Sequence, residues 1–108
     1  MGMVRRGDVW LVILDPTIGA EIQKTRPCVI ISPSDMHDHL RTMLIAPMTS
    51  ANKPARFRVA TTFKDKAGLI LLDQIRSVDK SRAIKHLGHI GDEALARTLR
   101  LLRETFMV

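Results

Sequence analysis

Apolar residues along this chain gather in short runs, separated by polar stretches that carry Pro, Gly, Asp and Ser. The runs fall at residues 9–14, 28–32, 42–48, 56–62 and 69–78, with a candidate short one at 83–87. Runs of this length bounded by turn residues predict strands. Arg56-Phe57-Arg58-Val59 alternates polar and apolar, as a half-exposed strand does, whereas Leu69-Ile70-Leu71-Leu72 does not alternate. The latter pattern predicts burial on both faces or cover by a partner. Asp65-Lys66-Ala67-Gly68 reads as the turn before that run. Short strands at such close spacing predict a compact barrel or curled sheet.

Near the C-terminus the period changes. Leu95, Leu99, Leu102 and Phe106 recur at helical spacing and form one stripe, with Gly91 or Asp92 as the cap. Asp92 and Glu93 suit the positive end of the helix dipole. Arg97, Arg100 and Arg103 form a second face, read either as a solvated helix surface or as an RNA-binding stripe. A shorter helix is expected at 34–40. No repeat or linker interrupts the pattern, so 1–108 reads as a single domain.

The polar stretch 15–26 joins the first two strands, and a loop of this length in so small a domain is usually functional. It holds Glu21, Lys24, Thr25 and Arg26, with Pro27 at the entrance to the next strand. Composition then narrows the partner. Seventeen Lys and Arg against eleven Asp and Glu leave a formal charge of +6, which favours an anionic partner, nucleic acid first. Cys28 is the single cysteine, so no internal disulfide can form, and within its apolar run it reads as a small buried hydrophobe. No run approaches membrane-spanning length and no signal-peptide core is present, so a cytoplasmic protein is expected.

RNA brings its own nucleophile, the 2′-hydroxyl beside each phosphate. A protein can cleave it by orienting that hydroxyl, removing its proton and stabilising charge on the phosphoryl oxygens. Arg26 is the candidate clamp, because a guanidinium fork matches two phosphoryl oxygens; its other reading is a salt bridge to Glu21 or Asp15. Glu21 is the candidate base, and its other reading is an exposed acid paired with Arg26. Thr49 and Ser50 sit at a strand exit, where hydroxyls either donate to phosphate or satisfy a turn. Asp73 and Gln74 follow an apolar run and must be hydrogen-bonded or face a groove; Gln74 carries donor and acceptor groups for a base edge. Asp35, His37, Asp38 and His39 lack a third regularly spaced ligand, so no metal centre is expected, and no cofactor.

Arg6-Gly7-Asp8-Val9-Trp10, Asp15-Pro16-Thr17, Glu21, Thr25-Arg26-Pro27, Pro47-Met48-Thr49, the block 73–80 and Leu87-Gly88, in that order, resemble the MazF/PemK/Kid family of toxin endoribonucleases. The resemblance implies an SH3-like barrel of five to seven strands with a C-terminal helix, mainly β, forming a homodimer. It implies a metal-independent, ribosome-independent endoribonuclease that cuts single-stranded RNA at a short sequence and leaves 2′,3′-cyclic phosphate and 5′-hydroxyl ends. It also implies an acidic, partly disordered antitoxin as partner. The resemblance carries Thr49 into the active site beside Arg26. With Glu21 these are the expected catalytic residues, and Lys24, Thr25, Ser50, Asp73, Gln74 and Arg76 the expected RNA-binding ones. In some relatives an arginine two residues before the aspartate shares the work; this chain departs from them with Leu71. A homodimer is also expected because Leu69–Leu72 and the terminal helix offer more apolar surface than a small barrel covers.

Two other classes stand beside this one. A CcdB-like gyrase inhibitor on the same kind of barrel needs an apolar C-terminal contact surface and no clustered arginine and carboxylate. A plain nucleic-acid-binding barrel needs stacking surfaces, and one Trp, three Phe and no Tyr supply few.

Overall fold

A computed structural model describes residues 3–107. Its strands are β1 (Asp8–Ile13), β2 (Thr25–Ile30), β3 (Thr42–Thr49), β4 (Arg58–Phe63), β5 (Lys66–Leu71), β6 (Arg76–Asp79) and β7 (Ala83–His89), with helices α1 (Ser34–His37) and α2 (Asp92–Thr105). All strand pairs are antiparallel, in the order β4-β5-β3-β2-β1-β7, and β6 also pairs with β3. The sheet curls into a half-barrel closed by the C-terminal helix.

The apolar runs do not alternate because both faces of the central strands are buried. Val9, Val29, Ala46 and Met48 face one cluster, with Ile70 and Ala94 of α2. Their neighbours Trp10, Val12, Cys28, Ile30 and Ile45 face the other. Period-2 alternation thus divides each run between two cores.

Five expectations change. The run 69–78 is not one strand. Along one edge of β3 the register passes from Met48↔Ile70 to Ile45↔Arg76, so three steps on β3 face six on the other chain segment. The surplus bulges out as a 3-10 turn, Leu72–Gln74, pinned where Leu72 N donates to Phe57 O (3.1 Å). The turn expected at 65–68 lies instead at Lys64-Asp65, both with positive φ (49° and 64°), as a two-residue hairpin requires. Gly68 is a close-approach glycine within β5: a Cβ there would sit 2.7 Å from Thr49 O. The helix expected at 34–40 stops after one turn, at His37.

In α2 the buried residues are Ala94 and Thr98. Leu95, Leu99 and Leu102 are half-buried and Phe106 is exposed beyond the helix, so the expected stripe is rotated about one residue from the true inner face. Finally, Leu69, Ile70, Leu71 and Leu72 are all buried within the single chain and need no partner to cover them.

His37 is the structural member of the histidine-rich segment. It is fully buried; Nε2 donates to Val4 O (2.8 Å). Because a carbonyl only accepts, that bond fixes the tautomer, and Nδ1 accepts from Ser32 Oγ (2.9 Å), which in turn accepts from Leu44 N (3.2 Å). Both ring nitrogens are therefore engaged. His37→Ala is expected to cost about 3 kcal/mol, from a cavity plus polar groups left unpaired. Urea denaturation measures it, and a loss under roughly 1 kcal/mol would show that the network contributes little.

Candidate active site

Two pockets that take consecutive residues near the end of β3, Pro47 in one and Met48 and Thr49 in the other, divide the residues expected to work together. The first, about 200 Å³, is lined by Arg26, Met48, Thr49, Ser50, Phe63 and Lys66. Arg26 is the second residue of β2 rather than part of the loop, opposite Val12 of β1. Pro27 behind it restricts Arg26 to extended backbone, which favours the strand. The half-buried Arg26 side chain donates from Nε to Gln23 O (3.1 Å). That single bond anchors the guanidinium at Nε, and both Nη groups lack a protein partner among the described residues. No ion pair joins Arg26 to Glu21 or Asp15 there either, so the salt-bridge reading is not realised.

Thr49 reaches the same pocket at the end of β3. Its Oγ1 accepts from Ala51 N (3.1 Å), which leaves the hydroxyl proton free to donate. The close approach at Gly68 brings β5 against Thr49 and sets the pocket floor. Lys66 adds a second cation outside the expected set, because the sequence at 65–68 reads as a turn. Recognising Lys64-Asp65 as a two-residue hairpin loop would have put Lys66 on a strand.

The second pocket, about 380 Å³, is lined by Glu21, Ile22, Pro47, Asp73, Gln74 and Arg76, among others. The bulge 72–74 delivers Asp73 and Gln74 to it. Asp73 accepts from Arg58 Nε (3.3 Å) and Nη2 (3.1 Å), and Arg58 Nη1 donates to Lys53 O (2.7 Å). The hydrogen bond to Asp73 raises the Arg58 pKa above its ordinary value, against desolvation, and the Asp73 charge adds to the rise. Arg58 stands directly opposite Leu71 in the β4–β5 ladder. The guanidinium missing at Leu71 is thus supplied to Asp73 from the neighbouring strand, a partnership that a one-dimensional reading does not reveal.

Glu21 belongs to this second pocket and not to that of Arg26. Its Oε1 accepts from Ile18 N (2.6 Å) inside the loop. The loop itself is tied down from the far end of the chain. Ile22 N donates to Gln74 Oε1 (2.7 Å), Arg76 Nη1 donates to Leu14 O (3.1 Å), and Arg82 Nη1 bridges Ile13 O (3.0 Å) and Asp15 O (2.7 Å). Arg82 was not among the expected residues. Lys24 and Thr25 are exposed; Lys24 has φ 70° and its carbonyl accepts from Leu14 N (2.9 Å), while Thr25 pairs with Ile13. Cys28 lies in the core, where burial pushes its thiol up to about 12 against the opposing pull of Arg76; it is inert at neutral pH.

A rigid guanidinium with free N–H groups, a donating hydroxyl and a further cation suit a phosphoryl group. Residues 5–106 match the family described as PemK-like, MazF-like toxin of type II toxin-antitoxin system. The chain is 33% identical over 102 residues to endoribonuclease PemK of Escherichia coli, covering 89% of this chain and 77% of that protein. Its fold is similar to the crystal structure of MazF from Deinococcus radiodurans, with TM-score 0.85, 25% identity and 97% of each chain covered. It shares its fold, at TM-score 0.79 and 18% identity over 94% of this chain and 93% of the other, with a mycobacterial endoribonuclease solved in complex with its cognate antitoxin.

Proposed function

Because the chain belongs to the PemK-like, MazF-like toxins of type II toxin–antitoxin systems, we propose that this toxin endoribonuclease cuts single-stranded RNA at the Arg26 pocket without a metal, a ribosome or a cofactor. The observation that carries the reading is the free end of Arg26, fixed at Nε by Gln23 O and facing the Thr49 hydroxyl's pocket. The two Nη groups hold the phosphoryl oxygens as charge builds on them, and Thr49 donates a further hydrogen bond. The RNA's own 2′-hydroxyl attacks in line and Glu21 takes its proton. Solvent water at the open pocket protonates the leaving 5′-oxygen as its bond to phosphorus breaks, and Glu21 returns its proton to solvent, which leaves a 2′,3′-cyclic phosphate and a 5′-hydroxyl.

Glu21 reaches the phosphate when the loop closes over RNA and its carboxylate leaves Ile18 N. The fork from Arg58 supports this choice of base, since it already occupies both oxygens of Asp73. Asp73, Gln74 and Arg76 bind the bases beside the cut, while Lys24, Thr25 and Ser50 line the approach.

The toxin acts in the cytoplasm as a homodimer. The apolar groove at the end of α2, between Leu99, Leu102, Phe106 and Ile31, Met36 and Ile75, supports the dimer; Phe106 is 71% and Met107 67% exposed. An acidic antitoxin covers the basic surface, matching its charge of +6.

The test is incubation of purified protein with a long single-stranded RNA plus EDTA, followed by mapping of both new ends. Cleavage at a short recurring sequence, undiminished by the chelator and with cyclic phosphate termini, is the expected result. Affinity should fall with salt, because each phosphate contact releases counterions. Loss of activity in EDTA with recovery on added Mg²⁺ or Zn²⁺ would overturn the metal-independent mechanism.

A further inference from the structure

We propose that the pocket beside Gln74 and Arg76 selects a nucleobase presenting a carbonyl oxygen, uracil or guanine, over one presenting an amino group at the same edge. The inference rests on the reading of RNA as substrate and names what part of it this pocket takes.

Ile22 N lies 2.7 Å from the Gln74 carboxamide, and a backbone N–H can only donate. The Gln74 atom it meets must therefore be the oxygen, which fixes the orientation of the amide. The group left wholly free for a ligand is the NH₂, a donor without acceptor capacity, while the oxygen keeps one lone pair beside the Ile22 N–H. Arg76 is a donor alone by its chemistry, and one of its Nη groups is already held by Leu14 O (3.1 Å). Gln74 and Arg76 are the half-buried polar lining of the pocket.

The two carboxylates do not reverse this pattern. Asp73 is exposed at the rim and both of its oxygens accept from Arg58. Glu21 is also exposed, with Oε1 on Ile18 N. Pro47, Ile22 and Ile75 supply apolar walls for a base. The half-buried polar surface thus presents N–H groups. Uracil offers O4, and guanine offers O6 and N7. Cytosine and adenine would turn an amino group towards another donor, leaving both unpaired in a partly desolvated pocket.

Oligo-deoxyuridine and oligo-deoxycytidine of about eight nucleotides, a length within the usual single-strand footprint, separate the possibilities by direct binding. They lack the 2′-hydroxyl and are not cut, and they differ at the edge in question by a carbonyl against an amino group. The parent protein should bind the deoxyuridine oligomer about tenfold more tightly, the effect of one hydrogen bond exchanged for an unpaired donor. Gln74→Glu keeps a carboxylate oxygen to accept from Ile22 N and turns the remaining group into an acceptor. Its preference should reverse towards deoxycytidine. Equal binding of both oligomers by the parent, or a deoxyuridine preference that survives in Gln74→Glu, overturns the proposal. A protein that prefers deoxyuridine yet cuts no RNA keeps this pocket and loses the cleavage reading. One that cuts RNA but binds both oligomers equally does the opposite.

Discussion

Arg26→Lys should lower kcat/KM on a short RNA about a hundredfold or more, although the positive charge remains. In the proposed mechanism Arg26 performs two tasks at once. Its Nε donates to Gln23 O (3.1 Å) and so anchors the guanidinium at one side, while both Nη groups lack a protein partner among the described residues and would meet the phosphate. An ammonium on a flexible stem can bond the carbonyl or meet the phosphate, and it cannot present two parallel donors to two oxygens. Removing a pre-oriented donor at a developing oxyanion costs on the order of a hundred- to a thousandfold in other hydrolytic sites. Lys66 in the same pocket keeps much of the electrostatic attraction, so RNA affinity should change less than the chemical step. Single-turnover cleavage, with folding checked by circular dichroism, measures the two separately. If the lysine variant cleaves within a factor of about three of the parent, Arg26 does not clamp the transition state.

The second large effect separates the two carboxylates. Glu21→Gln should slow the chemical step roughly a hundredfold, the low end for a general base, with RNA affinity little altered. Asp73→Asn should act elsewhere. It releases the fork from Arg58, which also holds Lys53 O, and so loosens the segment between β3 and β4. Its expected signature is a change in cleavage sequence or a loss of stability. The structure adds a demand to the Glu21 assignment, because its carboxylate begins in the neighbouring pocket on Ile18 N. Loop closure must therefore precede chemistry, and Glu21→Gln should still bind RNA at the parental rate. An inactive Asp73→Asn beside a near-parental Glu21→Gln would exchange the two roles.

The runs 9–14, 28–32 and 42–48 gave strands within a few residues of their true bounds, and the change to helical spacing near Leu95 gave α2. Such features are local, since period and turn residues act between near neighbours in the chain. Arg26 and Thr49 were legible as candidates, through their place around Pro27 and Pro47, and the structure puts them in one pocket. By itself the sequence determined the mainly β fold with its final helix, the basic charge, the family, and the types of group present for chemistry.

What surrounds those groups depended on pairing between distant segments. Gln74 to Ile22 spans 52 residues, Arg76 to Leu14 spans 62, and Arg82 to Asp15 spans 67. No local pattern shows that Ile22 N holds the oxygen of the Gln74 amide, or that Arg58 supplies Asp73 with a guanidinium where Leu71 has none. The bulge 72–74 is equally hidden, because an apolar run carries no mark of the register at which it meets β3. Only the tertiary structure decided that Glu21 lies apart from Arg26, since contacts made across the sheet fix the loop's path and its own composition does not.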